Sequence, residues 1–227
     1  MRLKCLDPVD AGRPKHRTRN PIFGNNVYVY RQPLFDYYGV KAGGGQKLTA
    51  QILFSIAQAG QYTPAGGAAI SKSAWHTNLI GQGGILPQPD RLCVKQISGF
   101  LRNDTNVGDL QRFVSDTLGI FFMGSSAIEY WRTHFFKIPA AGGAFGFSSA
   151  ITGNGIPDTH NEPSLWGPAV GNQFNIAGCE IIEAGQNFGF TLDPTLVSDA
   201  SGATTLAPAA DINAFVYLDG IRIRGVQ

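Results

Sequence analysis

From residue 27 onward the chain is a succession of short runs rich in β-branched and aromatic residues, each cut off by Gly, Pro or Asn. Runs of this length and chemistry suit strands, and the punctuation supplies turns. Val27-Tyr28-Val29-Tyr30 is the first run. After Gly43-Gly44-Gly45, Leu48, Ala50, Ile52, Phe54 and Ile56 alternate with Lys47, Thr49, Gln51 and Ser55. That period of two predicts a half-buried strand over 47–56. Further strands are expected over Arg91–Leu101, which carries Leu92, Val94 and Ile97, then over 120–123, 127–138, 173–176, 179–183 and 187–192. At the C-terminus Ala214–Leu218 and Ile221–Arg224 flank Asp219-Gly220, the dipeptide of a two-residue hairpin.

One segment reads as a helix. Asp109 is placed to cap it, Leu110, Phe113, Val114, Thr117 and Leu118 share a stripe, and Gly119 is placed to end it. There is no alternation of strands and helices and no internal repeat, so a parallel α/β sheet is excluded. The expectation is an all-β fold: one antiparallel jelly-roll-like barrel or two-sheet sandwich with long loops and one short helix. At 227 residues a single such domain is reasonable. It is expected to span 21–227, behind a flexible basic N-terminal arm over 1–20.

That arm carries Arg2, Lys4, Arg13, Lys15, Arg17 and Arg19 against Asp7 and Asp10, a charge of +4 within a chain whose total is only +2. The rest of the chain is therefore slightly acidic. Arg13, Lys15, Arg17 and Arg19 are the candidate contacts, either to phosphates without sequence selectivity or to a neighbouring subunit. Charged residues make up 15% of the chain, below the usual share of about 25%, which points either to a small exposed surface or to surfaces covered by partners.

Catalytic and metal chemistry find little support. Cys5, Cys93 and Cys179 are odd in number and lack CxxC spacing, so unpaired thiols are expected rather than a disulfide framework. His16, His76, His134 and His160 form no HxH or HExxH pattern. Asp158, His160 and Glu162 alternate in a Pro-bounded loop and could share a cation, but short polar loops produce such sets by chance. In Glu129-Tyr130-Trp131-Arg132-Thr133-His134, alternation puts the carboxylate and the imidazole on opposite faces, which works against an acid–base pair. Residues 43–49 lack the GxxxxGK[ST] spacing of a phosphate loop, and no GxSxG is present. No enzyme, metal or cofactor is expected. The chain has no apolar run long enough to cross a bilayer and no visible secretion signal.

Several segments taken together carry a resemblance. Thr77-Asn78-Leu79 leads through a Gly-rich stretch to Leu86-Pro87-Gln88-Pro89-Asp90 and a strand. Ala184-Gly185-Gln186-Asn187-Phe188 starts another, and the chain ends Val216-Tyr217-Leu218-Asp219-Gly220-Ile221-Arg222-Ile223-Arg224-Gly225-Val226-Gln227. This order resembles jelly-roll capsid proteins of tailless icosahedral bacteriophages, over scattered segments of roughly residues 45–227. The resemblance implies a structural virion protein, made in the host cytoplasm, that assembles with copies of itself and other virion proteins. It brings no catalytic residues. Double-barrel members of that group are longer, so one barrel with elaborated loops is expected here. The alternative is a glycan- or receptor-binding sandwich, such as a spike or tail component, in which Trp75, Trp131 and Trp166 could stack on sugar rings.

Overall fold

A computed structural model describes residues 18–20, 24–43, 45, 47–102, 107–124, 128–135, 138, 175–198, 202, 205–208 and 210–225. The larger of its two main sheets is organised around β12 (Ile212–Gly225). On one side of β12 lie β2 (Gly24–Arg31) and β3 (Leu34–Val40), end to end. The register runs through Gln32-Pro33 without a slip, because Arg31 faces Ile221 and Leu34 faces Leu218. Pro33 has no N–H to give the ladder, so one long strand is divided in two there. On the other side β7 (Asp90–Arg102) follows β12 for nearly its whole length, with β10 (Asn175–Ile182) beyond it. The short β1 (Thr18–Asn20) pairs with β2 at the opposite edge.

The second sheet has the order β4 (Gln51–Leu53), β11 (Phe188–Asp193), β8 (Leu118–Met123) and β9 (Ile128–His134). A small ladder of β5 (Gln61–Tyr62) and β6 (Ile70–Ser71) lies in the long connection to β7, and α1 (Val107–Asp116) joins β7 to β8. The pairing is nested. Counting β2 and β3 as one strand, the first principal strand pairs with the last (β12), β4 with β11, β7 with β10, and β8 with β9, all antiparallel. The folded-over chain is then rolled, so that β12 also meets β7 and β11 also meets β8. This is the jelly roll, with two four-stranded layers once β1 is set aside.

Alternation delivers the core. Leu34, Tyr38 and Val40 from β3, Ile212, Ala214, Val216 and Leu218 from β12, and Phe121, Phe188 and Phe190 from the second sheet meet between the layers. Phe113 of α1 closes this interior, against Tyr38 at 5.8 Å and Phe135 at 6.3 Å between ring centres.

The structure corrects several expectations. Asp219-Gly220 is not a hairpin turn, since β12 runs straight through it. Opposite it, β7 carries one extra residue: Asp219 faces Gln96 while Gly220 faces Val94, leaving Lys95 as a β-bulge. That bulge explains the uneven spacing of Leu92, Val94 and Ile97, all of which point into the core. Gly220 is needed for close approach rather than for a turn, because a Cβ there would lie 1.9 Å from the Cys93 carbonyl oxygen.

The expected strand over 47–56 contracts to Gln51–Leu53. Leu53 is buried while Ile52 faces outward, and Phe54 at φ 67° turns the chain away. Helix α1 starts before Asp109, whose carboxylate accepts from Arg112 at 3.5 Å instead of capping. It ends before Thr117, and Gly119 sits inside β8, where a Cβ would strike the Phe190 ring. The candidates at 173–176 and 179–183 are one strand, β10, with a register shift between Asn175 and Glu180. Cys93 and Cys179, expected as unpaired thiols, are joined as a disulfide between β7 and β10, with Cα atoms 5.4 Å apart.

Candidate functional site

The sites singled out in sequence fall in different places. Arg13, Lys15 and Arg17 lie outside the described residues, as do His16, Asp158, His160, Glu162 and Trp166. Arg19 belongs to β1, at the edge of the larger sheet. On β9 a bulge at Tyr130 (Trp131 faces Phe121, Glu129 faces Phe122) interrupts the expected alternation. Trp131 packs on the core, 6.0 Å from the Phe190 ring centre. Arg132 donates to Glu129 at 2.5 Å, which ties that carboxylate to a guanidinium. Among the described residues no group of His, Cys, Asp and Glu is arranged to hold a metal ion. No helix among them is long and apolar enough to cross a membrane.

The most elaborately built region holds Trp75, one of the tryptophans singled out in sequence, but its construction was not foreseen. It is a strap of residues 72–78 laid along β3, on the side away from β12. One end is anchored by an ion pair inside the protein. Lys72 Nζ donates to both Asp36 oxygens at 2.6 and 2.8 Å, and their side chains are only 2% and 0% exposed. Asp36 also accepts from the Phe54 backbone N–H at 2.5 Å. Lys72 Nζ lies 5.0 Å from the Tyr62 ring centre, a cation–π contact, and the Tyr62 hydroxyl accepts from Gly39 N–H at 2.9 Å. Burial pushes the Asp36 carboxyl upward, against the Lys72 charge and the hydrogen bonds from Lys72, Phe54 and Tyr37 that pull it down.

The other end of the strap copies a strand. Asn78 accepts from Phe35 N–H at 2.9 Å and donates to the Pro33 carbonyl at 2.7 Å, while Thr77 Oγ1 donates to the Phe35 carbonyl at 3.0 Å. Ala65 adds further backbone bonds, donating to Gly39 and accepting from Lys41. The β3 edge is thereby covered, which removes a template for uncontrolled strand addition.

Between its anchors the strap crosses onto the outer face of the larger sheet. There Phe35 and Tyr37 of β3, Phe215 and Tyr217 of β12, and Phe100 of β7 project away from the core. Ring contacts link them. Phe100 meets Phe215 at 6.2 Å, Trp75 meets Phe215 at 5.1 Å edge-on, Tyr37 meets His76 at 4.9 Å, and Phe35 meets Tyr217 at 5.6 Å. Trp75 remains 48% exposed and Phe100 40% exposed, although both belong to this cluster.

The turn that presents Trp75 is pinned. His76 Nδ1 accepts from Ser73 N–H at 3.1 Å and lies 3.0 Å from its hydroxyl, and Ser73 Oγ accepts from Trp75 N–H at 3.3 Å. Burial, followed by the charges of Lys72 and Lys41, holds the His76 imidazole below its ordinary value. Burial, followed by the charge of Asp211, pushes the Tyr37 hydroxyl up to about 12, where it donates to Asn213 at 2.9 Å. At neutral pH the surface is therefore aromatic and uncharged, bordered by the Lys41–Asp211 pair at 2.6 Å.

At the far end of the same sheet, Asp90 is enclosed by Arg222 at 2.6 Å and Arg224 at 2.5 Å. Burial acts to raise its carboxyl, but the hydrogen bonds and charges of the two guanidinium groups outweigh that and hold it below the ordinary range. A recess of about 230 Å³ beside Gln51, Tyr62 and Lys72 contains the buried, unpartnered Gln51 Oε1.

Comparison with known proteins finds no family model that matches the chain, and no curated protein matches it. The functional reading therefore rests on the fold and its surfaces.

Proposed function

We propose that the chain is a structural virion protein, a capsid subunit that self-assembles into an icosahedral shell. The observation that carries this reading is a jelly roll whose interior is filled by its own side chains, while an aromatic cluster from β3, β7 and β12 faces outward. A packed β body of this kind resists deformation and can present its outer faces and loops to neighbours. The charged share of 15% favours association over colloidal repulsion. In this reading no residue is catalytic and no cofactor is required. Arg13, Lys15, Arg17 and Arg19 contact a neighbouring subunit, or the phosphates of an enclosed nucleic acid without reading its sequence. The protein is made in the host cytoplasm and resides in the virion with other virion proteins.

Light scattering over a range of concentration and salt tests the reading. Growth to a discrete mass of many copies is the expected result, and a monomer or small oligomer under all conditions contradicts it. The half-exposed Trp75 also supports a second reading, a glycan- or receptor-binding module of a spike or tail, because an indole face stacks on sugar rings. Under that reading a compact trimer binds a glycan array.

A further inference from the structure

We propose that the outer-face aromatic cluster around Trp75 and Phe100 is a contact between copies of this chain. The inference rests on the shell reading and names the surface through which that reading would act.

The first ground is the way Trp75 is held. Lys72 is fixed to Asp36 in the interior, Thr77 and Asn78 are bonded along β3, and Ser73 and His76 close the turn between them. The turn that carries Trp75 is thus bonded to the body of the protein and its ring rests on Phe215 and His76, and a preorganised side chain loses little entropy on binding. Trp is also the residue type most often found to dominate interface energetics. Phe100 flanks it on the same face, directly opposite the buried Phe215 in the β7–β12 register.

Area and charge select the occupant. With about 150–250 Å² for a whole aromatic side chain, the exposed parts of Trp75 and Phe100 amount to roughly 200 Å². A stable two-body interface needs about 800 Å² on each partner. The patch is thus too small to hold a single partner on its own, but it suits a weak contact repeated around a closed assembly, where multivalency supplies the strength. The rim carries Lys41 and Asp211, one charge of each sign and both about 40% exposed. A second copy in the opposite orientation complements that arrangement.

The test compares the wild-type chain with Trp75→Ser and Phe100→Ser, using Tyr130→Ser as a control because Tyr130 is equally exposed on the other sheet. The critical concentration for assembly is read by light scattering, and circular dichroism verifies the fold. The expected result is a rise of roughly tenfold or more for the Trp75 and Phe100 variants, and little change for Tyr130→Ser. Assembly by all variants at the wild-type concentration overturns the copy contact and leaves the shell reading standing. So does wild-type assembly accompanied by loss of glycan binding alone in Trp75→Ser. A wild-type chain that never assembles overturns both. Oxidative footprinting of the wild type serves if a variant misfolds: Trp75 and Phe100 protected in assemblies support the contact, and equal reactivity in assembled and dissociated protein overturns it.

Discussion

Lys72 and Asp36 show how one buried pair can set the course of a long loop. Removing a single partner leaves the other charge in a dry site, which typically costs about 3–5 kcal/mol. Asp36→Ala is therefore expected to lower stability by about that amount in chemical denaturation. Asp36→Ala combined with Lys72→Met should lose less than the two single changes added together, because no unpaired charge remains. It does not return to wild type, since Phe54 N–H still lacks its acceptor. Gly220 is the second residue on which local geometry turns. Its would-be Cβ meets backbone rather than a flexible side chain, so Gly220→Ala is expected to cost about 2–3 kcal/mol in the same assay. A hairpin role would make the substitution costly only if φ were positive, and Gly220 is not among the positive-φ glycines.

Among the elements, β7 and β12 form the spine, and their far end is closed by Asp90 between Arg222 and Arg224. The Asp90 carboxyl is depressed in the folded state, so its stabilisation is fully present above the unfolded carboxylate value, about 4. It is lost as pH falls through the lower folded value. Unfolding free energy measured from pH 7 to 2 should fall below about pH 4, and Asp90→Asn should flatten that fall while lowering stability at neutral pH. Most elements of the fold were legible in sequence because apolar runs between Gly, Pro and Asn mark them: β2, β7, β8, β9 and β11 lie where those runs predicted strands, while the alternation over 47–56 yielded only the three-residue β4. β3 escaped notice because both of its faces are covered, so Leu34, Tyr38 and Val40 inward and Phe35 and Tyr37 outward leave no alternation to read. Asp36 within that run hid it further, although a lone charge among aromatics is itself a sign of a buried partner. The turn at Asp219-Gly220 was misread because a close-approach glycine and a turn glycine look alike until the opposing strand is known. Of the candidate site only Trp75 was singled out in sequence, for a similar reason. Its rings come from β3, the strap, β7 and β12, which only the rolled topology brings together.

At the scale of the whole molecule, the nested pairing yields a filled two-layer body with a covered β3 edge and an aromatic outer face. Among the described residues several charged groups are paired with one another: Lys72 with Asp36, Asp90 with two arginines, Glu129 with Arg132, and Lys41 with Asp211. In the shell reading proposed above, shape and apolar surface are the means by which identical subunits would recognise one another. The most direct test is negative-stain electron microscopy of the purified full chain at rising concentration. Closed particles of uniform diameter, or regular capsomer arrays, are the predicted result. Isolated monomers or compact trimers across salt and pH would contradict the shell account.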